Sequence, residues 1–296
     1  MIYIFLAGIL WGTVGLFVRE LNALGASASL ISLMRMAFAF LAMSIFALIK
    51  HGKRIILTDV KSLFFCALLG LVSNGLFSIL YTTSININGM GIASVLLYTA
   101  PVFTALASCI IFHEKLTSRK ILALGLNVIG CVFTVTGGNF SLATISIMGI
   151  LAGIGSGFCY GMAAIFGRLA GNRTDALITS VYSYIFASIF LYIFLRPDIT
   201  PAMSNMKILM WGVLYGLIPT GLAYLVYYME LSKIHDTSKV PVIASIEPII
   251  AVIIGTQIYG EKIGLMNYAG IAVVLISIII MVKTENHTQE IKECLK

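Results

Sequence analysis

Ten apolar stretches, each at or near the length that crosses a bilayer, follow one another along this chain with short breaks between them. They fall at about 2–18, 29–49, 62–82, 91–112, 121–137, 145–166, 177–195, 208–229, 240–259 and 264–282. A hydrocarbon core of about 30 Å takes about 20 apolar residues in α-helical form. With 296 residues in all, such a chain has little left over except connections. Charged residues make up 10% of it and hydrophobic ones 59%, whereas soluble domains carry about 25% charged residues. That excludes a soluble enzyme, a nucleic-acid module and a disulfide-stapled secreted domain. The net charge of +7 gives no argument for nucleic acid, because it is scattered between the apolar runs. Strands of a membrane barrel alternate in polarity, and these runs are continuous. The expected fold is therefore all-α, an integral membrane protein of ten transmembrane helices.

The first run has the small residues Ala26-Ser27-Ala28 behind it but no basic segment before it, so it is expected to stay as a span rather than be cleaved. Lysine and arginine concentrate on the cytoplasmic side of membrane proteins. With the N-terminus inside, the inner segments hold Lys50, Lys53, Arg54, Lys61, Lys115, Arg119, Lys120, Arg168, Arg173, Lys233, Lys239, Lys283, Lys292 and Lys296. The outer ones hold only Arg19, Arg196, Lys207 and Lys262. Both termini are thus expected in the cytoplasm of a multi-pass cell-membrane protein, with a short polar tail at 284–296. Cysteines 66, 109, 131, 159 and 294 show no metal-binding spacing, so no metal or cofactor is expected.

The two halves repeat. Gly70-Leu71-Val72-Ser73-Asn74-Gly75-Leu76, with Tyr81 after it, aligns with Gly216-Leu217-Ile218-Pro219-Thr220-Gly221-Leu222 and Tyr227 at an offset of 146. Pro101 and Glu114-Lys115 align with Pro248 and Glu261-Lys262 at 147, and Ala7-Gly8-Ile9 with Ala152-Gly153-Ile154 at 145. Each unit, 1–137 and 145–283, then holds five spans. Five is odd, so the second unit enters the membrane from the opposite side. Two inverted-topology repeats are a recurrent plan of secondary transporters, with substrate held near mid-bilayer between them.

In these features the chain resembles the EamA branch of the drug/metabolite transporter superfamily. The matching pieces are Leu10-Trp11-Gly12 in the first span, Arg35 in the second, and proline followed by a Glu-Lys pair in both halves. The resemblance covers about residues 4–282. It implies a secondary transporter that moves amino acids, related amphipathic metabolites or drugs, often outward.

A charge at the centre of a helix costs about 2.5–3.5 kcal/mol on the insertion scale, so each one needs a reason. Glu247 alone of the twelve acidic residues lies well inside a span. At 1.5 Å per residue it is about 10–13 Å deep, and Arg35 about 9–12 Å deep from the other side. Glu247 is a candidate for an amine or a coupling proton, or else a neutral carboxyl bonded to a neighbouring helix. Arg35 suits a two-pronged contact with a substrate carboxylate, or else a packing role on backbone carbonyls. Trp11, Asn74, Tyr98, Tyr160 and Tyr224 are the expected cavity lining, with Ser78 and Tyr81 nearby. Pro101 and Pro248 are expected to bend their helices as hinges, and the two Glu-Lys pairs to anchor helix ends at the interface.

Three alternatives stand beside transport, the first a channel, for which no ring of acidic residues or carbonyl-rich filter sequence is evident. A scaffold or receptor would share the same spans. An intramembrane enzyme would need a deep cluster of His and carboxylates, whereas the four His and four Asp lie in loops, span ends or the tail. The partners expected are a small solute and lipid, with the chain a monomer or homodimer. Topology is directly testable in a cysteine-free background. His113→Cys should be labelled only from the cytoplasm and Asn86→Cys only from outside, and the reverse pattern would invert the assignment.

Overall fold

The computed structural model describes residues 1–52, 59–88, 90–138, 146–231, 233–234, 236–260 and 264–294, by backbone alone at 90–92 and 284–294. Lys53, Arg54, His235 and the Glu261-Lys262 pair therefore lie outside the described residues.

Among the described residues, ten helices are long and apolar enough to span: α1 Ile2–Ala23, α2 Ala28–His51, α3 Val60–Asn88, α4 Ala93–Phe112, α5 Ser118–Thr136, α6 Ile147–Gly171, α7 Ala176–Leu195, α8 Met206–Leu231, α9 Thr237–Tyr259 and α10 Leu265–Lys283. The tenth continues as a helix to Cys294. Polar caps fix several starts. Ser27 accepts from the Leu30 amide, Asp59 from Lys61 and Ser62, Thr117 from Lys120, Asp175 from Leu177 and Asn205 from Lys207. Each supplies a partner that the first turn of a helix otherwise lacks. Asp59 is held below the ordinary carboxylate range, chiefly by the Ser62 hydroxyl that donates to it.

Five of these helices are irregular: α1 breaks at Thr13, whose hydroxyl donates to the Leu10 carbonyl, and the other four form matched pairs. The helical course of α4 is interrupted at Tyr98-Thr99, and that of α9 at Ser245-Ile246. Pro101 and Pro248 sit in the first turn of the segments that follow, where a missing N–H costs nothing. The prolines therefore restart their helices after a gap rather than bending a continuous rod. In α3 and α8 the backbone widens into π-helical turns at Leu69–Leu76 and Gly216–Leu222, the two halves of the matched sequence block. Asn74 donates its amide to the Leu69 carbonyl, and the Thr220 hydroxyl does the same to Tyr215, each reaching five residues back. A widened turn leaves carbonyls short of partners, and these side chains supply them.

Packing repeats as well. α1 lies against α8 and α9, as α6 lies against α3 and α4; α2 packs on α7 and α5 on α10. Glycine permits the closest approaches. A Cβ on Gly12 would fall 2.8 Å from the Glu247 carbonyl oxygen, and one on Gly157 would fall 2.9 Å from that of Leu96. At Gly70 it would overlap the Ser183 carbonyl oxygen and sit 2.7 Å from Phe186 Cβ; at Gly216, 2.6 Å from Phe38 Cβ. At Gly125 of α5 it would meet nothing within 4 Å. Gly70→Ala and Gly216→Ala should each destabilise the protein by about 1–3 kcal/mol through overpacking. Gly125→Ala should not, since alanine is the better helix former. Thermal unfolding in detergent, followed by circular dichroism, checks all three.

Candidate functional site

The irregular backbone surrounds a cavity of about 710 Å³. Trp11 and Gly12 of α1, Arg35 of α2, Phe77 and Tyr81 of α3, Tyr98 of α4, Tyr160 of α6, Tyr215, Pro219 and Tyr224 of α8, and Glu247 and Pro248 of α9 form its walls and floor. Asn22, Ala28 and Asn86 line it too. These residues stand at the helix ends of one membrane face, where α1 meets α2 and α3 approaches α4. The cavity therefore opens to that face.

Its aromatic wall is continuous. The Trp11 ring lies 4.9 Å from Tyr224, 5.0 Å from Tyr227 and 6.0 Å from Tyr160, and Tyr160 lies 5.6 Å from Phe77. These tilted and edge-on arrangements are the ones that aromatic quadrupoles favour. Tyr160 donates its hydroxyl to Glu247 Oε2 at 3.0 Å, so one carboxylate oxygen is committed. In Arg35, Nε and Nη2 are buried and make no hydrogen bond within the protein. The Trp11 indole N–H is likewise without a partner. Unmatched donors of this kind cost about 1–3 kcal/mol each in a purely structural role, and more for a charged group.

Of the residues expected from sequence, Trp11, Arg35, Tyr98, Tyr160, Tyr224 and Glu247 all line this one cavity, with Pro248 beside them. Pro101 lies just beneath, lining a second space of about 10 Å³ with Tyr98, Tyr160, Ser245 and Glu247. Asn74 does not line the cavity: it is fully buried, and its amide is spent on the π-turn carbonyl. Tyr215 does line it and escaped the sequence reading. The signal for it is its place immediately before the repeated Gly-Leu block.

On the opposite face mostly buried charged side chains lie beyond the cavity floor. Glu114, expected as an exposed anchor, is instead mostly buried and accepts from Arg168 at 2.6 Å and from the Thr237 and Ser238 amides at 2.8 and 3.2 Å. Its neighbour Lys115 is the exposed member of the pair. Lys120 pairs with Asp236 at 2.7 Å and Lys239 with the same carboxylate at 3.4 Å. Burial pushes the Asp236 carboxyl up, but the hydrogen bonds from Lys120 and Ser238 and the two lysine charges outweigh it, leaving it below the ordinary range.

The family model described as the EamA-like transporter family matches residues 1–136 and 147–283. An uncharacterized transporter of Archaeoglobus fulgidus is 27% identical over 278 residues, which is 94% of each chain. A second from the same organism is 26% identical over 232 residues, 78% of this chain and 81% of its own. A solved crystal structure, 15% identical, superposes with a TM-score of 0.80 over 97% of each chain, which establishes the shared fold.

The unmatched guanidinium makes its own prediction. Arg35→Met removes two buried donors, Nε and Nη2, that have no partner, along with the hydrogen bond to Tyr215, so the variant should stay within about 1–3 kcal/mol of wild type in stability. A variant that instead unfolds readily would show that Arg35 holds the helices together. Melting of purified protein in detergent distinguishes the two.

Proposed function

Because the chain belongs to the EamA-like transporter family, we propose that it exports small amphipathic solutes across the cell membrane, binding them in the cavity between its two halves. The observation that carries this reading is the pairing of opposite charges in one aromatic-walled space. Glu247 and Arg35 line the same cavity without a hydrogen bond or ion pair between them among the described residues. An ammonium on Glu247 and a carboxylate on Arg35, with an apolar body against Trp11, Tyr160 and Tyr224, fits a zwitterion such as an amino acid. A few placed polar groups on apolar walls are the usual make-up of a small-molecule site. In the absence of solute, Glu247 can take up a proton, which makes proton exchange the natural coupling.

Transport follows by alternating access between two inverted five-helix repeats, 1–137 and 145–283. The matched π-turns, the matched gaps at Tyr98-Thr99 and Ser245-Ile246, and the exchange-symmetric packing support that arrangement. The positive-inside charge census supports cytoplasmic termini, and the cavity then faces outward. Export, the direction common among proteins this chain resembles, would follow from reloading the site on the cytoplasmic side.

The test is saturable counterflow in proteoliposomes, using a labelled panel of amino acids, amines and carboxylates. Wild type should exchange zwitterions, and Glu247→Gln at matched reconstitution should lose exchange or its pH dependence, by about tenfold or more. Arg35→Gln should raise the apparent KM for carboxylate-bearing solutes and spare simple amines. Bidentate contacts with a carboxylate give Arg that selectivity. No saturable flux of any panel member would refute the transporter reading for these solutes. Wild-type behaviour of Glu247→Gln would move the site to the aromatic wall alone.

A further inference from the structure

Below the cavity floor, α4 continues from Tyr98 to Phe112, about 21 Å at 1.5 Å per residue. Arg168 lies eight residues beyond Tyr160 on α6, about 12 Å below the floor. At that level three contacts meet. The Arg168 guanidinium sits over the Phe112 ring, 4.0 Å from its centroid. The same Nη1 donates to Glu114 Oε1 at 2.6 Å and to the Thr237 hydroxyl at 2.5 Å. Glu114 in turn accepts from the backbone amides of Thr237 and Ser238, at the start of α9. One carboxylate thus ties the end of α4 to α6 and to α9, the first half of the chain to the second.

The mouth face carries a related pair. The Arg19 guanidinium lies over the Tyr259 ring at 4.2 Å from its centroid, and the Tyr259 hydroxyl donates to Glu20 at 3.2 Å. Tyr259 is the repeat counterpart of Phe112 at the offset of 147, and Arg19 lies one helical turn from the counterpart of Arg168. The arginine–aromatic contact is therefore built at both faces, between α6 and α4 below and between α1 and α9 above. The carboxylate bridge to the α9 amides belongs to the closed face.

We propose that Glu114 and Arg168 are the latch of a gate: their bond to the Thr237–Ser238 amides holds this face shut, and its release lets α4 and α9 part to open the cavity from below. The Arg168–Phe112 contact keeps α6 on α4 as they move, and the Arg19–Tyr259 contact keeps α1 on α9 in the same way. Both halves of the latch are mostly buried, at 8% exposure for Glu114 and 15% for Arg168, so losing one partner leaves the other charge buried without its counter-ion. The inference rests on the alternating-access reading of the protein, and its test needs no transported solute.

The test is accessibility to a water-soluble, membrane-impermeant thiol reagent in a cysteine-free background, with the protein in detergent so that both faces are reached. Val18→Cys and Val252→Cys report on the mouth, which both residues line. Ala163→Cys and Ala105→Cys, at the corresponding repeat positions, are buried in this structure and report on the closed side. With the latch intact, the first two should label and the last two should not. Adding Glu114→Gln should raise labelling at Ala163→Cys and Ala105→Cys about tenfold or more and lower it at Val18→Cys and Val252→Cys. Such a reciprocal change is what a shifted two-state equilibrium produces.

Unchanged labelling at all four positions would overturn the latch. Increased labelling at all four marks an unfolded variant, and Arg168→Lys then decides, since it keeps the charge but not the planar fork. A reciprocal shift in Arg168→Lys supports the latch, and a wild-type pattern there overturns it. Counterflow by the cysteine-free parent separates this result from the transporter reading. Flux without a reciprocal shift removes the latch alone, and a reciprocal shift without flux of any panel solute keeps the gate while removing the proposed substrate.

Discussion

Inside a bilayer every backbone N–H and C=O has to find its partner within the protein, because hydrocarbon offers none. Among the described residues this protein departs from regular helix at membrane depth at Thr13 of α1 and in four further, matched places, and all of them lie around the cavity. The gaps at Tyr98-Thr99 and Ser245-Ile246 and the π-turns around Asn74 and Thr220 would be intolerable facing lipid. Here their freed groups are met by Asn74 and Thr220 side chains or lie beside the cavity and its floor. The aromatic wall and the charged pair of the cavity lie on or beside these departures.

Their arrangement also explains where glycine is used. Gly12 and Gly157 let α1 and α6 come against carbonyls next to the gaps of α9 and α4, and Gly70 and Gly216 seat the π-turns on α7 and α2. A side chain at any of these points would push the irregular segment away from the helix that supports it.

Much of this was legible in the sequence. Span number, the repeat offsets and the depth of Glu247 and Arg35 follow from apolar run length and from the rarity of charge at depth, which depend on few residues at a time. Convergence of Trp11, Arg35, Tyr98, Tyr160, Tyr224 and Glu247 on one cavity follows from depth and repeat position together. Asn74 was misleading because a polar residue at depth can serve either a solute or an irregular backbone, and only the π-turn decides between them. Glu114 was misleading for a different reason. Its partners lie 54 and 123 residues away in the chain, at Arg168 and Thr237, and no local pattern links them. As a result the closed face read as ordinary interfacial charge.

The buried ion pairs beneath the cavity have one more consequence. The Lys120–Asp236–Lys239 cluster has no duplicate: the repeat counterparts of these residues are Asn267, Met90 and Ala93. On the alternating-access reading proposed above, two identical units would rest equally well in either orientation, as a symmetric double well. Divergence at these three positions tilts that landscape, because separating Lys120 from Asp236 exposes a cost that the other face does not share. On that reading, the sequence differences between the two copies set which side of the membrane the empty protein waits on, and so where it would first meet a solute.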